Sequence, residues 1–390
     1  MSTPGRWHVL TGEYPPQPGG VSDYTAMVAA GLAAAGAEVH VWAPPADGDT
    51  PPAPGVAVHR DAGRWSPADL AALDARLDAF AAPRRLLVQY TPNAWGYRGA
   101  NLGFCRWLAR RHRAGDRVLT MVHEAVYDWR PGDKPTRLAL AAAHRLMIRT
   151  VLRGSDRLYC SALALERRLP GLGAAGRPLR WLPVPSTVPT VDDPEGVAAV
   201  RRRLAPRGEA IVGTFGTFGE DLQRDLARAL PALLRGRDDR VGLLIGRNGA
   251  RVAAALTGAD PALAGRVTAT GGLPPGDASR HLQACDVLVM PYVDGVSSRR
   301  TTAMAALAHG LPTATNLGPN SEPLWAESGA VAAAAAPDPE AVARLAGGLL
   351  ADPAARAALS AAARDLYARR FAVALTVDAL LADESRGGAC

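Results

Sequence analysis

The stretch MPYVDGVSSRRTTAMAALAHGLPTATN, residues Met290 to Asn316, decides how this chain is read. A strand-like run from Asp286 to Tyr292 feeds a tight Asp294-Gly295 turn. A small, hydroxyl-rich and basic segment follows, Val296 to Thr302. An alanine-rich helix over Ala303 to His309 comes next, closed by Gly310 at its C′ position and Pro312 just beyond. Strand, loop and helix N-terminus in that order make an anion site. Free backbone N–H groups converge there and the helix dipole favours negative charge. Arg299 and Arg300 stand where they can add full positive charge; the plainer alternative is a βα unit whose helix happens to begin with arginines.

Composition limits the choices. A chain of 390 residues exceeds what one core usually supports, so two domains are expected. The formal charge of +7 is spread along the chain and is almost entirely arginine, with Lys134 the one lysine. That balance favours anionic small ligands, or a membrane surface, over nucleic acid, for which the chain has no aromatic–basic module. Cys105, Cys160, Cys285 and Cys390 are scattered without CxxC spacing, which predicts neither a zinc site nor a disulfide framework. No apolar run reaches membrane-spanning length and the N-terminus lacks a signal-peptide layout, so a cytoplasmic protein is expected.

From the N-terminus, Trp7 to Thr11 reads as a buried strand running into Gly12-Glu-Tyr-Pro-Pro-Gln-Pro-Gly-Gly-Val21. A helix follows from Ser22 to Ala35, with Ser22 and Asp23 as capping candidates and Gly36 as terminator. Glu38 to Ala43 is the next strand. The Gly19-Gly20 pair is either a plain turn or a place where bare backbone approaches a ligand. Strands at Arg85–Tyr90, Arg117–His123, Arg157–Ser161 and Arg180–Pro185 alternate with helices at Leu102–Arg113 and Thr136–Leu152. Such alternation predicts a parallel sheet with helices on both faces, and ligands beyond the carboxyl ends of its strands. Gly19, Gly20, Trp95, His123 and Glu124 all fall at such ends.

Pro185 to Glu209 reads as a proline- and charge-rich boundary. A second βα series begins at Ala210, with strands at Ala210–Gly216, Val241–Gly246, Arg266–Gly271, Asp286–Tyr292, Leu311–Asn316 and Gly329–Ala335. Pro337 to Phe371 is helical, and Ala372 to Asp383 is placed to cross back onto the first domain. The expected domains are 1–186, 187–370 and a returning helix over 371–390. The fold class is α/β: two Rossmann-like domains facing a cleft.

These residues carry a resemblance. The Gly19-Gly20-Val21 loop, the Val122-His123 strand end, the Gly271-Gly272-Leu273 turn, the Cys285-to-Pro291 strand, Ala303-Met304-Ala305 and Gly310-Leu311-Pro312 occur in order along nearly the whole length. In this the chain resembles a GT-B fold glycosyltransferase of the large retaining family 4. The resemblance implies that a nucleotide-diphosphate sugar, UDP- or GDP-linked, binds mainly to the second half and an acceptor hydroxyl to the first. It implies that Gly19 and Gly20 approach the donor, that His123 contacts the sugar and that Gly272 and Leu273 hold the base. It also implies that Asp294, Gly295, Val296, Ser297 and Ser298 offer backbone amides to sugar and phosphate.

Two departures stand out. The glutamates that family members carry eight residues apart fall on Asp294 and Thr302 in one register, and on Ser297 and Ala305 in the other. Either way the ribose-facing glutamate is missing. The family's diphosphate-neutralising Arg and Lys are also absent, the chain reading Gly213-Thr-Phe-Gly216-Thr217-Phe-Gly-Glu220 there. A buried ion must be paired or hydrogen-bonded, so Arg299 or Arg300, with Arg247, is expected to supply the charge. Retaining transfer of this class needs electrostatic stabilisation of the leaving diphosphate and positioning, with His123, Glu124 and Asp294 as the residues nearest the chemistry. No metal and no cofactor is expected.

For the acceptor, Asn93, Trp95 and Tyr97 form either a stacking surface for a sugar or cyclitol, or packing at the domain edge. The acceptor itself is left open between a small molecule, a saccharide and a lipid-linked group. The basic helix Gly103–Arg113 is read as a solvated layer helix, with peripheral contact to anionic lipid as the alternative. A non-catalytic sugar-nucleotide-binding homologue, a phosphorylase and a sugar-nucleotide epimerase remain as other readings. A dinucleotide oxidoreductase is disfavoured because neither half shows GxGxxG.

Overall fold

A computed structural model describes residues 5–48, 50–129 and 131–385; Cys390 lies outside them. The chain divides into two compact units, one running to Val184 and resuming at Val373, the other spanning Pro185–Ala372.

In the first unit the order is β1 (Arg6–Thr11), α1 (Gly20–Ala34), β2 (Glu38–Trp42), β3 (Val56–His59), α2 (Pro67–Asp78), β4 (Arg85–Tyr90), α3 (Leu102–Arg113), β5 (Arg117–Val122), α4 (Pro135–Arg153), β6 (Arg157–Cys160), α5 (Leu163–Leu169) and β7 (Leu179–Trp181). These strands form one parallel sheet in the order β3-β2-β1-β4-β5-β6-β7. Alternate residues of each strand serve opposite faces. Val9, Val39, Leu87 and Leu119 pack under Tyr24, Val28 and Leu32 of α1. Leu10, Val88, Val118 and Leu158 pack with Leu73, Phe104, Trp107 and Met147 on the other side.

In the second unit the order is α6 (Pro194–Leu204), β8 (Ala210–Phe215), α7 (Glu220–Leu234), β9 (Arg240–Ile245), α8 (Gly249–Ala259), β10 (Val267–Gly271), α9 (Pro275–Gln283), β11 (Val287–Met290), α10 (Thr301–Ala308), β12 (Thr313–Asn316), α11 (Leu324–Glu327), β13 (Ala332–Ala334), α12 (Pro339–Ala351) and α13 (Pro353–Arg370). The sheet order is β10-β9-β8-β11-β12-β13, with every strand pair parallel. It too has a hydrophobic cluster on each face. The last helix, α14 (Val373–Ser385), returns to the first unit, where Val377 and Leu380 join the core under α1.

Several local expectations change. Ser22 and Asp23 do not cap α1; its N-cap is Gly19, and the Glu13 carboxylate accepts the Ser22 N–H at 3.0 Å. The segment read as a linker contains α6, started by Asp193, which accepts the Gly196 N–H at 2.9 Å. Its apolar signal is thin because only Val200 in it is buried. Residues 56–78 add β3 and α2, the latter opened by a Ser66/Asp69 capping box. The run to Phe371 is two helices, broken where Asp352 caps the second at Pro353. β11 stops at Met290 because Pro291 has no N–H for the ladder. Gly310, at φ +61°, closes α10: the Leu311 N–H reaches back to the Ala306 carbonyl at 2.9 Å, a Schellman arrangement.

Candidate active site

The carboxyl ends of β8 and β11 diverge in the second unit, and between them lies a cavity of about 620 Å³. It is lined by Thr214 to Leu222 from the β8–α7 connection, Met290 to Asp294 from the end of β11, and Arg299, Arg300 and Thr302 at the start of α10. This is where a parallel sheet with helices on its faces offers a ligand site. Of the residues expected from sequence, Gly216, Thr217, Asp294, Arg299, Arg300 and Thr302 meet here.

The β8–α7 loop is tightly built. Phe218 is buried with φ +54°, and a Cβ on Gly246 would lie 1.8 Å from the Gly216 carbonyl oxygen. Only glycine fits at position 246. The Thr217 carbonyl accepts from Asn248 Nδ2 at 2.8 Å. At the far end of the loop, Glu220 and Asp221 occupy the first turn of α7 and line the cavity.

Asp294 governs the charge. Its carboxylate accepts from Arg299 Nη2 at 2.8 Å and from Asn320 Nδ2 at 2.8 Å, and its other oxygen is gripped by Arg300. Burial alone would raise the Asp294 pKa, but Arg300, Asn320 and Arg299 outweigh it and hold the carboxyl below its ordinary value. The Arg300 guanidinium also lies over the Tyr292 ring, 4.8 Å from its centroid. Tyr292 in turn shares a 2.9 Å hydrogen bond with the Thr302 hydroxyl. Three carboxylates and two guanidiniums therefore line the cavity, so the two expected cations are accompanied by anions of the chain itself.

In the loop from Gly295 to Ser298 the amides of Gly295, Val296 and Ser298 are already engaged within the chain. The Gly295 N–H donates to the Tyr292 carbonyl at 3.1 Å and the Val296 N–H to the Asn316 carbonyl at 2.9 Å. Val296 is itself a core residue. Ser298 gives its N–H to Glu322 Oε2 at 3.0 Å and its hydroxyl to Glu322 Oε1 at 2.6 Å. Ser297 and Ser298 are fully buried, and the Ser297 hydroxyl has no partner among the described residues. Gly295 is required by close packing: a Cβ there would sit 2.3 Å from the Gly318 nitrogen. Glu322, absent from the sequence reading, holds this loop from a distant segment.

Arg247, Gly272 and Leu273 form a separate group beyond β9 and β10. A Cβ on Gly272 would touch Arg247 Cγ at 3.0 Å, and Leu273 packs on the core. None of the three lines the cavity.

In the first unit His123 follows β5 and is half-buried. Its Nε2 lies 2.8 Å from Gln89 Oε1 and its ring meets Tyr24 edge-on at 4.9 Å. Burial lowers its pKa to about 3, so the ring is neutral. Glu124 is exposed and accepts from the Thr91 hydroxyl at 3.2 Å. Gly19 is pressed against Glu13, whose carboxylate would lie 2.4 Å from a Cβ at that position, whereas Gly20 is open. The anion position at the start of α1 is thus filled by the chain's own Glu13. Trp95 is not a stacking surface: it is fully buried and stacks on Phe104 at 3.8 Å. Asn93 and Tyr97 remain exposed. Cys105, Cys160 and Cys285 are free and buried, their thiols pushed up in pKa by burial. No described helix is long and apolar enough to cross a membrane.

Comparison with known families matches residues 19–185 to a glycosyl transferase 4-like domain and residues 209–366 to glycosyl transferases group 1. No curated protein matches the sequence. Among solved structures, sucrose-phosphate synthase from Thermosynechococcus elongatus superposes with a TM-score of 0.72 at 19% identity, over 98% of this chain and 100% of that one. HepE from Anabaena, in complex with UDP and glucose, gives 0.70 at 15% identity over 98% and 99%. An α,α-trehalose-phosphate synthase (UDP-forming) from Burkholderia xenovorans, in complex with glucose-6-phosphate, gives 0.65 at 12% over 97% and 99%. At these identities the likeness is one of fold.

Proposed function

Because the chain belongs to the GT-B glycosyltransferases, with a glycosyl transferase 4-like first domain and a group 1 second domain, we propose that it moves a sugar from a nucleoside-diphosphate sugar to an acceptor hydroxyl with retention of configuration and without a metal ion. The observation that carries this reading is the cavity beyond β8 and β11, where Arg299 and Arg300 converge on one carboxylate. A diphosphate offers the same pair of guanidiniums a better-matched, doubly charged partner. Donor binding then exchanges Asp294 for the diphosphate, and the arginines stabilise the charge that grows on the leaving group. Glu220 and Asp221 provide acceptors for sugar or ribose hydroxyls, a task Thr302 cannot perform as a carboxylate would. HepE, bound to UDP and glucose, makes a UDP-sugar the first donor to test.

On the first unit His123, held neutral, is suited to hydrogen-bonding a sugar hydroxyl rather than to carrying charge. The acceptor hydroxyl loses its proton to the departing diphosphate, so no strong protein base is called for. Among the described residues no three His, Cys, Asp or Glu side chains gather as a metal ion would require. The direct test is turnover of UDP-sugars with and without chelator, the anomeric configuration of the product being read by NMR. Inverted product, or activity abolished by chelator and restored by a divalent ion, refutes the corresponding half of the reading. UDP-sugar that binds but is neither transferred nor hydrolysed favours a binding protein instead.

A further inference from the structure

The first unit has its own cavity, of about 560 Å³, which the reading above does not use. It is bounded by Gly12 after β1, Pro44 after β2, the Gly63–Ser66 loop after β3, and Ala94 with Gly96–Arg98 after β4. Four adjacent strands thus end around one hollow, again the position where a parallel sheet takes a ligand.

Its rim is held in an uncommon backbone form. Trp65 has φ +60°, while Gly96, Tyr97, Arg98 and Gly99 run at +73°, +51°, +53° and +87°, a single left-handed turn. Left-handed backbone costs a non-glycine residue about 1–2 kcal/mol, and three such residues border this cavity. One side chain holds both sides of the rim together. Asn101 Nδ2 donates to the Trp65 carbonyl at 3.0 Å and to the Trp95 carbonyl at 2.7 Å, while its Oδ1 caps α3 at the Phe104 N–H. Asp69 fixes the other loop by accepting the Arg64 and Ser66 N–H groups, each at 2.9 Å. Strain maintained by a buried clamp is characteristic of sites that bind.

What the rim presents is specific. The floor is apolar, with Pro44, Trp65 and Ala94, and Tyr97 stands exposed at its edge. Arg64 and Arg98 flank it, and among the described residues neither guanidinium has a carboxylate partner. An apolar floor with an aromatic edge suits the face of a ring, and two unengaged forks suit a phosphoryl group.

We propose that this cavity is the acceptor subsite and that it selects an acceptor carrying a phosphoryl group, held by Arg64 and Arg98 with its ring against Tyr97. This rests on the glycosyltransferase reading and narrows it to a class of acceptor. The same chemistry is offered by a soluble polyol phosphate and by a phosphoinositide headgroup, so both are probed.

The test is calorimetric titration of the full chain, saturated with UDP, using glucose 6-phosphate and glucose, alongside sedimentation with phosphatidylinositol and phosphatidylcholine vesicles. We expect the anionic probe of one source, glucose 6-phosphate or phosphatidylinositol, to bind at least tenfold more tightly than its counterpart without net charge, glucose or zwitterionic phosphatidylcholine. That preference should disappear in Arg64→Ala and Arg98→Ala and return in part in Arg98→Lys, with UDP binding by each variant reporting an intact fold. Preference for glucose 6-phosphate assigns a soluble acceptor; sedimentation on phosphatidylinositol alone assigns a lipid one. Equal binding of charged and neutral probes, or a preference that survives both alanine substitutions, overturns the proposal. If UDP itself fails to bind, the glycosyltransferase reading is what has failed.

Discussion

The Arg299 guanidinium lies 2.8 Å from the Asp294 carboxylate, whose second oxygen is held by Arg300. Both cations suited to a diphosphate are therefore neutralised before any donor arrives, and donor binding must displace an internal anion. Asp294→Asn removes that competitor while keeping an acceptor for Asn320. UDP should bind this variant about three- to tenfold more tightly, roughly 0.7–1.4 kcal/mol. Arg299→Ala or Arg300→Ala should weaken UDP by about tenfold or more at whichever residue meets the phosphate. Calorimetry giving one affinity for all three variants and the double arginine mutant would place the diphosphate elsewhere.

Glu322 is buried, and three donors point at it: the Ser298 N–H at 3.0 Å, the Ser298 hydroxyl at 2.6 Å and Trp325 Nε1 at 2.7 Å. Replacing it by alanine removes this shared acceptor and leaves Trp325 Nε1 unsatisfied. An unsatisfied buried group costs on the order of 1–3 kcal/mol, so Glu322→Ala should lower stability by about 2 kcal/mol in urea unfolding. Glu322→Gln keeps one acceptor oxygen but turns an amide towards these donors, and should recover less than half of the loss. An alanine variant as stable as the parent would mean that the loop is held by other contacts.

The alternation of apolar runs and helices made both sheets legible, because a parallel strand buried on both faces leaves a continuous hydrophobic signature. Arg85–Tyr90 and Leu102–Arg113 are found where the pattern put them. The site was less legible, since its anions come from the chain itself. Glu13 at the start of α1, Asp294 against two arginines, and Glu322 beneath Ser298 each stand where a substrate anion was expected. Glu322 lies 24 residues from Ser298, and no local periodicity connects them. Trp95 misled for a related reason: an aromatic in a Pro/Gly-rich loop looks exposed until Asn101 and Phe104 fold it inward.

His8 and His59 predict an acid limit for the first unit. His8 is buried, stacked on His40 at 5.3 Å and edge-on to Phe80, and its Nδ1 accepts from Trp42 Nε1 at 3.3 Å. His59 stacks on Trp42 at 4.0 Å, with Arg76 and His40 beside it. Burial, then neighbouring cations, lower the His8 pKa to about 3 and the His59 pKa to about 4. Both rings are therefore neutral when folded and gain protons more readily when unfolded. Their contribution is complete above about pH 6.5 and is lost as pH falls towards 4 and then 3. The melting temperature should decline across that interval. His8→Asn, which keeps an acceptor for Trp42 but does not titrate, should flatten the decline; an unchanged slope would remove His8 from its cause.

Asp383 anchors α14. Its carboxylate accepts from Arg157 Nη2 at 2.9 Å and Nε at 3.0 Å, a two-pronged pair completed by the Tyr159 hydroxyl, while Arg117 holds the Asp383 carbonyl. The apolar part of the helix is already seated by Val377 against Gly31, where a Cβ would come within 2.6 Å. Removing one partner of a buried ion pair costs about 3–5 kcal/mol because the other charge is left uncompensated. Part of Arg157 reaches solvent, so the lower end applies, about 3 kcal/mol for Asp383→Ala. Gly31→Val should free the same helix by steric exclusion, without touching the ion pair. Either substitution should let trypsin cut at Arg369 or Arg370 at concentrations that spare the parent, releasing the C-terminal segment while the second unit stays folded. Resistance of Asp383→Ala equal to the parent's, with Gly31→Val cut, would show that α14 is retained by its apolar face alone; equal resistance in both variants would show that neither contact holds the helix.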